Sequence, residues 1–412
     1  MNKKWATCTE RFLHYITFDT QSSEESTSFP STEKQKNLAM ELVKELQIMG
    51  LTDAVMDEWG YVTATLPANV RHAAPVVGLI AHMDTSPDVS GAGVKPVIHA
   101  NYQGGDLTLP AGVVIQASEN PALAAQVGHD LITSTGDTLL GADNKAGIAE
   151  IFTALQQLIE HPEIPHGAIR VAVTPDEEVG RGTEHFDVKK FAADIAYTID
   201  GETLGEVEDE TFCADTAVIK ITGVNVHPGY ARGKLVNAVK IAAEIVTQLP
   251  PDRLSPETTE KREGYVHPHQ FSGNVESATI KLLVRDFTVE GLHEKEAFLE
   301  NLAQEVMKKH PKASLGFKVE ESYRNMKYEL DKNPRVVALA VEAVRRAGVE
   351  PVKSIIRGGT DGSRLSFMGL LTPNIFTGGH NFHSRQEWIS IQDMEKAVAV
   401  ILELVQLWAE EQ

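Results

Sequence analysis

The order of apolar and polar positions along the chain separates two textures. Residues 76–81 follow Pro75 as an unbroken apolar run, which suits a strand buried on both faces of a parallel sheet. Residues 60–66, 168–174, 194–199, 352–356 and 370–376 read as further strands. Between them the period changes to 3.6. Leu38, Leu42, Val43 and Leu46 share one face of a helix over 33–49 that Gly50 stops. A second helix, entered at Asp143, has Ile148, Ile151, Phe152, Leu155, Leu158 and Ile159 on its apolar face. Helices over 334–346 and 392–408 complete this part, and strands alternating with helices predict an α/β domain. Residues 21–32 read as a loop. Residues 86–135, punctuated by Gly, Pro and Asn, show no regular period; a connection of this length is either functional or folded into hairpins of its own.

The texture changes near Asp215. Residues 216–222 alternate apolar and polar, 236–249 and 292–309 have helical period, and 277–287 and 314–323 read as strands. Half-buried strands with two helices predict a small α+β sandwich, an antiparallel sheet covered on one face. The chain is therefore divided into a domain formed by 1–213 and 326–412 and an inserted second domain, 214–325. A length of 412 residues agrees with two cores, and 42% hydrophobic residues can fill them.

Charge and cysteines narrow the partners. With 38 Lys and Arg against 58 Asp and Glu, the formal net charge is −20, and the expectation is no nucleic acid and no membrane surface as partner. The only two cysteines, Cys8 and Cys213, have no metal-ligand spacing and point to a reducing compartment. Lys3 and Lys4 are followed by no apolar core of a signal peptide, and no apolar span reaches membrane length. The expected location is the cytoplasm.

Chemistry gathers where the strands end. The 76–81 run stops on His82-Met83-Asp84, and alternation puts residues 82 and 84 on one side. One of them can hold a metal while the other orients the ring, or the pair is an ordinary hydrogen-bonded loop. Asp143 stands at a helix entry, where by itself it reads as an N-cap. The 168–174 strand runs into Pro175-Asp176-Glu177-Glu178, and the 194–199 strand ends on Asp200. Consecutive carboxylates at a buried strand end need solvent or cations. A late segment, Gly378-Gly379-His380-Asn381-Phe382-His383-Ser384, offers His380 or His383 as a second histidine. The stretch from Arg357 to Arg364 resembles an anion-binding nest but lacks the Lys-Ser/Thr ending of a phosphate loop. His82, Asp143, Glu178, Asp200 and one late histidine meet the ligand requirement of a hydrolytic two-metal site, with Glu177 left as base. Nitrogen and oxygen ligands without thiolate suit catalytic zinc, cobalt or manganese.

In this order, His82-Met83-Asp84, Gly141-Ala142-Asp143-Asn144, Glu177-Glu178, Asp200 and His383-Ser384 resemble the two-zinc exopeptidases and deacylases related to acetylornithine deacetylase and succinyl-diaminopimelate desuccinylase. The resemblance extends over essentially the whole chain. It implies a zinc-exopeptidase-like α/β/α catalytic domain with a mixed central sheet and an inserted α+β, ferredoxin-like lid domain. It implies two zinc ions per subunit, with cobalt or manganese as substitutes. Asp143 would bridge them, His82 and Asp200 would complete one site, and Glu178 and His383 the other. Asp84 would orient His82, Glu177 would be the general base, and a cis peptide bond would follow Asp143. His383 is preferred to His380 because Ser384 and Glu387 follow it as in the family. In the second domain, Gly223-Val224-Asn225-Val226-His227-Pro228-Gly229 is similar to the family's lid segment, whose histidine approaches the scissile carbonyl. Arg285 resembles the arginine that holds a substrate carboxylate, although read without the family it is an exposed strand residue beside Asp286. Arg357 is a further substrate-side candidate by its glycine-rich setting. The implied activity is metal-dependent release of the N-terminal residue from tripeptides by a metal-bridging hydroxide, with a dipeptidase or an N-acyl amino acid deacylase as alternatives. Small peptides are the expected partners, with a homodimer through the lid domain.

Overall fold

The computed structural model describes Trp5 and residues 7–410. The chain separates into two compact units, one formed by residues 1–209, 326–354 and 360–412, the other by 210–325 and 355–359. The division agrees with that read in the sequence at the 325/326 seam and differs from it by a few residues at the first seam, 209/210 in place of 213/214, and by the short return of 355–359. That return follows from Arg357, whose guanidinium donates to the carbonyls of Lys261 and Glu263 at 2.6 and 2.8 Å.

The first unit is built on a mixed sheet of eight strands, in the order Val55–Met56, Val62–Leu66, Ile169–Thr174, Val77–His82, Ile195–Gly201, Asn374–Phe376, Glu206–Thr211 and Val352–Ile356. The central strands Val77–His82, Ile169–Thr174, Ile195–Gly201 and Asn374–Phe376 run parallel. Val77–His82 is buried along its whole length, as its apolar run requires. Its parallel neighbours end level with it, His82 opposite Thr174, so the chemistry-bearing residues collect at one edge, beyond the carboxyl ends of the strands. Helix Ala142–Glu160 packs against the sheet with Ile148, Ile151, Phe152 and Leu155 fully buried, and helix Ile391–Glu410 buries Val400, Ile401 and Leu404.

Residues 86–135 are not structureless. Short strand Val97–His99 pairs with Leu131–Thr133, which pairs on its other side with Trp388–Ser390, and that strand pairs in turn with Gly379–His380. Leu107–Thr108 and Val114–Ile115 form a hairpin, and Tyr102, Leu107, Leu109, Ile115, Leu123 and Leu131 pack around Trp388. This small sheet carries the His380–His383 loop.

The second unit is an antiparallel sheet in the order Tyr265–Gly273, Ser277–Asp286, Cys213–Thr222 and Ser314–Tyr323. Alternate residues Ala217, Ile219 and Ile221 and Ile280, Leu282 and Val284 face Ile241, Ile245, Leu292 and Leu299 of helices Ala238–Thr247 and Val289–Met307. The strand Tyr265–Gly273 is an addition to the sequence reading; its second half is largely exposed and carries no buried apolar period. Among the described residues, no helix is long and apolar enough to cross a membrane.

Candidate metal centre

Asp143 is the point on which the site converges. Gly141 before it has a left-handed φ of 86°, the Asp143–Asn144 peptide bond is cis, and both residues depart from helical geometry. The Asp143 carboxylate therefore belongs to a shaped loop and is not a simple N-cap. Three N–H groups of that loop, from Leu140, Gly141 and Asp143, donate to the carboxylate of Glu387 at 2.6, 2.8 and 3.0 Å.

The two carboxylate oxygens of Asp143 face different histidines. Oδ1 lies 2.8 Å from His82 Nε2, and Oδ2 lies 3.3 Å from His383 Nε2. His82 Nε2 is 3.4 Å from Asp200 Oδ1, and His383 Nε2 is 2.7 Å from Glu178 Oε2. Two groups of three donors result, His82, Asp143 and Asp200 on one side and Asp143, Glu178 and His383 on the other, the donor atoms of each lying within 4.8 Å of one another. Asp143 is common to both. Glu177 belongs to neither group, and its Oε2 lies 3.9 Å from His82 Nε2.

Local structure explains how these side chains are held. His82 Nδ1 is 3.1 Å from the Asp84 carbonyl and 3.4 Å from Asp84 Oδ1, which leaves Nε2 for the cage. The same Asp84 carboxylate accepts the N–H groups of Glu177 and Glu178 at 3.0 and 3.2 Å, a second task that the sequence did not disclose. Asp176, left-handed at φ 58°, sets the turn before them. Its carboxylate accepts Ser31 N–H and Oγ, each at 2.5 Å, and Gln35 Nε2 at 2.7 Å. Asp361 was read as part of a nest. Instead it opens the short helix Asp361–Phe367, capped by Thr360, and its carboxylate accepts Thr174 Oγ1 at 2.7 Å.

The charge of the site asks for cations. Burial pushes the Glu178 carboxyl up to about 8, with Asp143 adding to it, and moves Asp200 up to about 6 and Asp361 to about 7. Burial also holds Glu177 well above its ordinary value, and Asp361, Asp200 and Glu178 add to this against His82. Burial works to lower the two histidines, yet Asp200, Asp143 and Asp84 keep His82 well above its ordinary range, and Asp143 and Glu178 move His383 up to about 11. Positive charge is thus drawn to the two places where the donor groups lie. Glu178 Oε1 is in addition buried without a hydrogen-bond partner among the described residues. Two groups of nitrogen and oxygen donors around a shared carboxylate, with an orphaned carboxylate oxygen among them, fit a pair of divalent metal ions.

The other candidates belong to neither donor group. His380 stacks on Trp388 with ring centroids 4.3 Å apart and belongs to neither donor group. In the second unit, His227 is exposed before the turn Pro228–Tyr230, and its Nδ1 accepts Gly229 N–H at 3.1 Å. Arg285 donates to the carbonyls of Asp215 and Val284 at 3.1 and 2.9 Å, while Asp286 pairs with Lys295 at 2.5 Å instead of with Arg285. Arg357 also donates to Thr259 Oγ1 at 3.0 Å and lies over the rings of Phe212 and Tyr265. It is occupied by protein partners within its own unit, and the Asp361 helix belongs to the other unit.

A mixed α/β sheet whose strand ends carry two donor groups around one carboxylate defines the class of α/β proteins with a candidate dinuclear metal centre. The chain belongs to peptidase family M20/M25/M40, whose sequence profile matches residues 138–407; it is a peptidase, and so a hydrolase. It is 49% identical over 401 residues to Peptidase T of Caldanaerobacter subterraneus subsp. tengcongensis, which covers 97% of this chain and 98% of that relative. Among solved structures, it matches the aminopeptidase PepT from Bacillus cereus with a TM-score of 0.74 at 22% identity over 98% of both chains. A tripeptidase from Staphylococcus aureus matches with a TM-score of 0.75 at 21% identity, again over 98% of both. These matches agree with the α/β fold and the mixed sheet.

Proposed function

We propose that the chain is a zinc-dependent aminopeptidase that releases the N-terminal residue from tripeptides. The observation that carries the reading is the shared carboxylate of Asp143 between two donor groups, with Glu177 beside them and outside both. Similarity to Peptidase T supports the choice of substrate.

His82, Asp143 and Asp200 would hold one ion and Asp143, Glu178 and His383 the other, zinc being replaceable by cobalt or manganese. When bound, the ions supply Lewis acidity and bring the pKa of water to about 7. The chain's own groups do the rest. Glu177 takes a proton from the attacking water and delivers it to the leaving amine; burial raises its carboxyl above the ordinary range, which favours its holding the proton between the two steps. Asp84 keeps Glu177 in place through its main-chain N–H and keeps the His82 ring turned toward Asp143. The family resemblance assigns His227 to the oxyanion, Arg285 to the peptide carboxylate and Arg357 to the substrate side. A cytoplasmic location and a homodimer through the second unit belong to the same proposal, the former in keeping with two free cysteines.

A panel of di-, tri- and tetrapeptides beside N-acyl amino acids tests the substrate; faster release from the acylated compounds would replace this reading with a deacylase. Glu177→Gln is expected to lower kcat by about 10²- to 10⁴-fold while metal content stays normal. Asp143→Ala is expected to lose both ions by elemental analysis. Retention of activity by the Glu177 variant would remove Glu177 from the role of base.

A further inference from the structure

Beside the candidate metal centre lies a pocket of about 620 Å³ formed wholly within the first unit. Asp143 and His383 form one wall; Glu202, His380, Phe382 and Trp388 line it together with Glu119. The volume suits one amino-acid residue and the start of the next.

Two features mark the pocket as built for a polar ligand. The first is on its floor. His380 is 4% exposed and Trp388 fully buried, the two rings are stacked, and among the described residues neither His380 Nε2 nor Trp388 Nε1 has a hydrogen-bond partner. A buried polar atom left unpaired is unfavourable, and the two together make this side of the pocket polar. The second is Glu202. It follows directly on the strand Ile195–Gly201, and alternation puts it on the side of Asp200. Its main-chain carbonyl accepts Gly378 N–H at 2.8 Å, which ties the residue to the loop carrying His383. Its side chain is open to the pocket, with no hydrogen bond or ion pair among the described residues.

We propose that this pocket receives the amino-terminal residue of the peptide and that the Glu202 carboxylate is the counter-charge of its α-ammonium group. The inference rests on the aminopeptidase reading and deepens it. In any peptide the α-nitrogen and the carbonyl carbon are joined through one Cα and lie about 2.5 Å apart. A carboxylate at hydrogen-bond distance from the ammonium must then stand within about 5 Å of the reacting carbonyl, beside the metal-binding carboxylates. Glu202 lines the same pocket as Asp143 and His383. Glu119 provides further negative potential, and Phe382 provides surface for the first side chain. An N-acyl group in the same place would leave Glu202 facing an uncharged amide, so this residue separates aminopeptidase from deacylase chemistry.

The test compares a Leu-headed tripeptide with its des-amino analogue, in which hydrogen replaces the α-ammonium, on metal-loaded wild type, Glu202→Gln and Glu202→Asp. Wild type is expected to prefer the free amine. Glu202→Gln is expected to lower kcat/KM on the free amine by about 10- to 100-fold with the des-amino rate and metal content unchanged, and Glu202→Asp to recover part of the preference. Inhibition by leucine is expected to weaken in parallel, and that by N-acetyl-leucine to stay as it is. A Glu202→Gln enzyme with full metal and an unchanged preference for the free amine would overturn the proposal. So would a loss confined to Lys- or Arg-headed peptides, which would make Glu202 a reader of side chains. If wild type itself shows no preference for the free amine, the aminopeptidase reading fails first, and the comparison distinguishes the two failures.

Discussion

Glu387 gives no atom to either donor group, yet it holds the loop on which both depend. It is 1% exposed, and three main-chain N–H groups converge on its carboxylate. Burial raises it to about 7 against those donors. In Glu387→Gln the amide nitrogen turns a donor toward at least one N–H group, and Asp143 loses its fixed position. Metal affinity is expected to fall by about 10- to 100-fold, measured by competition with a chelator, while the folded state persists. An unchanged affinity would show that the loop keeps its shape without this carboxylate. Glu387 was visible in the sequence only as a residue following the His383 motif. Its partners lie 244 to 247 positions earlier, and no local spacing announces such a bond.

At the scale of elements, the approach of helix Ala142–Glu160 to strand Ile195–Gly201 determines where Asp143 and Asp200 meet. Gly147 allows that approach: a Cβ there would lie 2.0 Å from the Ile199 carbonyl oxygen and 2.4 Å from Asn144 Oδ1. The obstacle is backbone, which cannot rotate away. Gly147→Ala is therefore expected to cost more than the usual 1–3 kcal/mol of an overpacked core, about 3 kcal/mol or more, and to lower Tm and metal content together. A melting curve matching wild type would mean that helix and strand can separate at little cost. The sequence read the helix and the strand correctly, because each has its own period. It left 86–135 unassigned because strands of two or three residues, one of which pairs with the distant 388–390, are too short to show one.

At the scale of the molecule, Glu150 records what folding does to a charge. It lies on the helix that begins with the Asp143 loop, is fully buried, and neither side-chain oxygen has a hydrogen-bond partner among the described residues. Burial, then Asp393, raises its carboxyl well above the ordinary 4.5. A folded-state pKa above the unfolded one means that the unfolded chain releases this proton first. The contribution of the group to stability is complete below about 4.5 and is lost as pH rises toward the folded value, by up to about 1.4 kcal/mol per pH unit. Glu150→Gln removes this titration, so its Tm relative to wild type is expected to be higher at pH 8 than at pH 5. Equal differences at the two pH values would show that Glu150 is ionised in the fold or reached by water. The sequence by itself determined the two textures of the chain and the residue types at the strand ends, because period and motif are local properties. Which carboxylates share Asp143, which residues brace them and which buried groups stand without partners were decided only by the tertiary structure. Those are facts of distance between segments far apart in the chain, and only packing sets them.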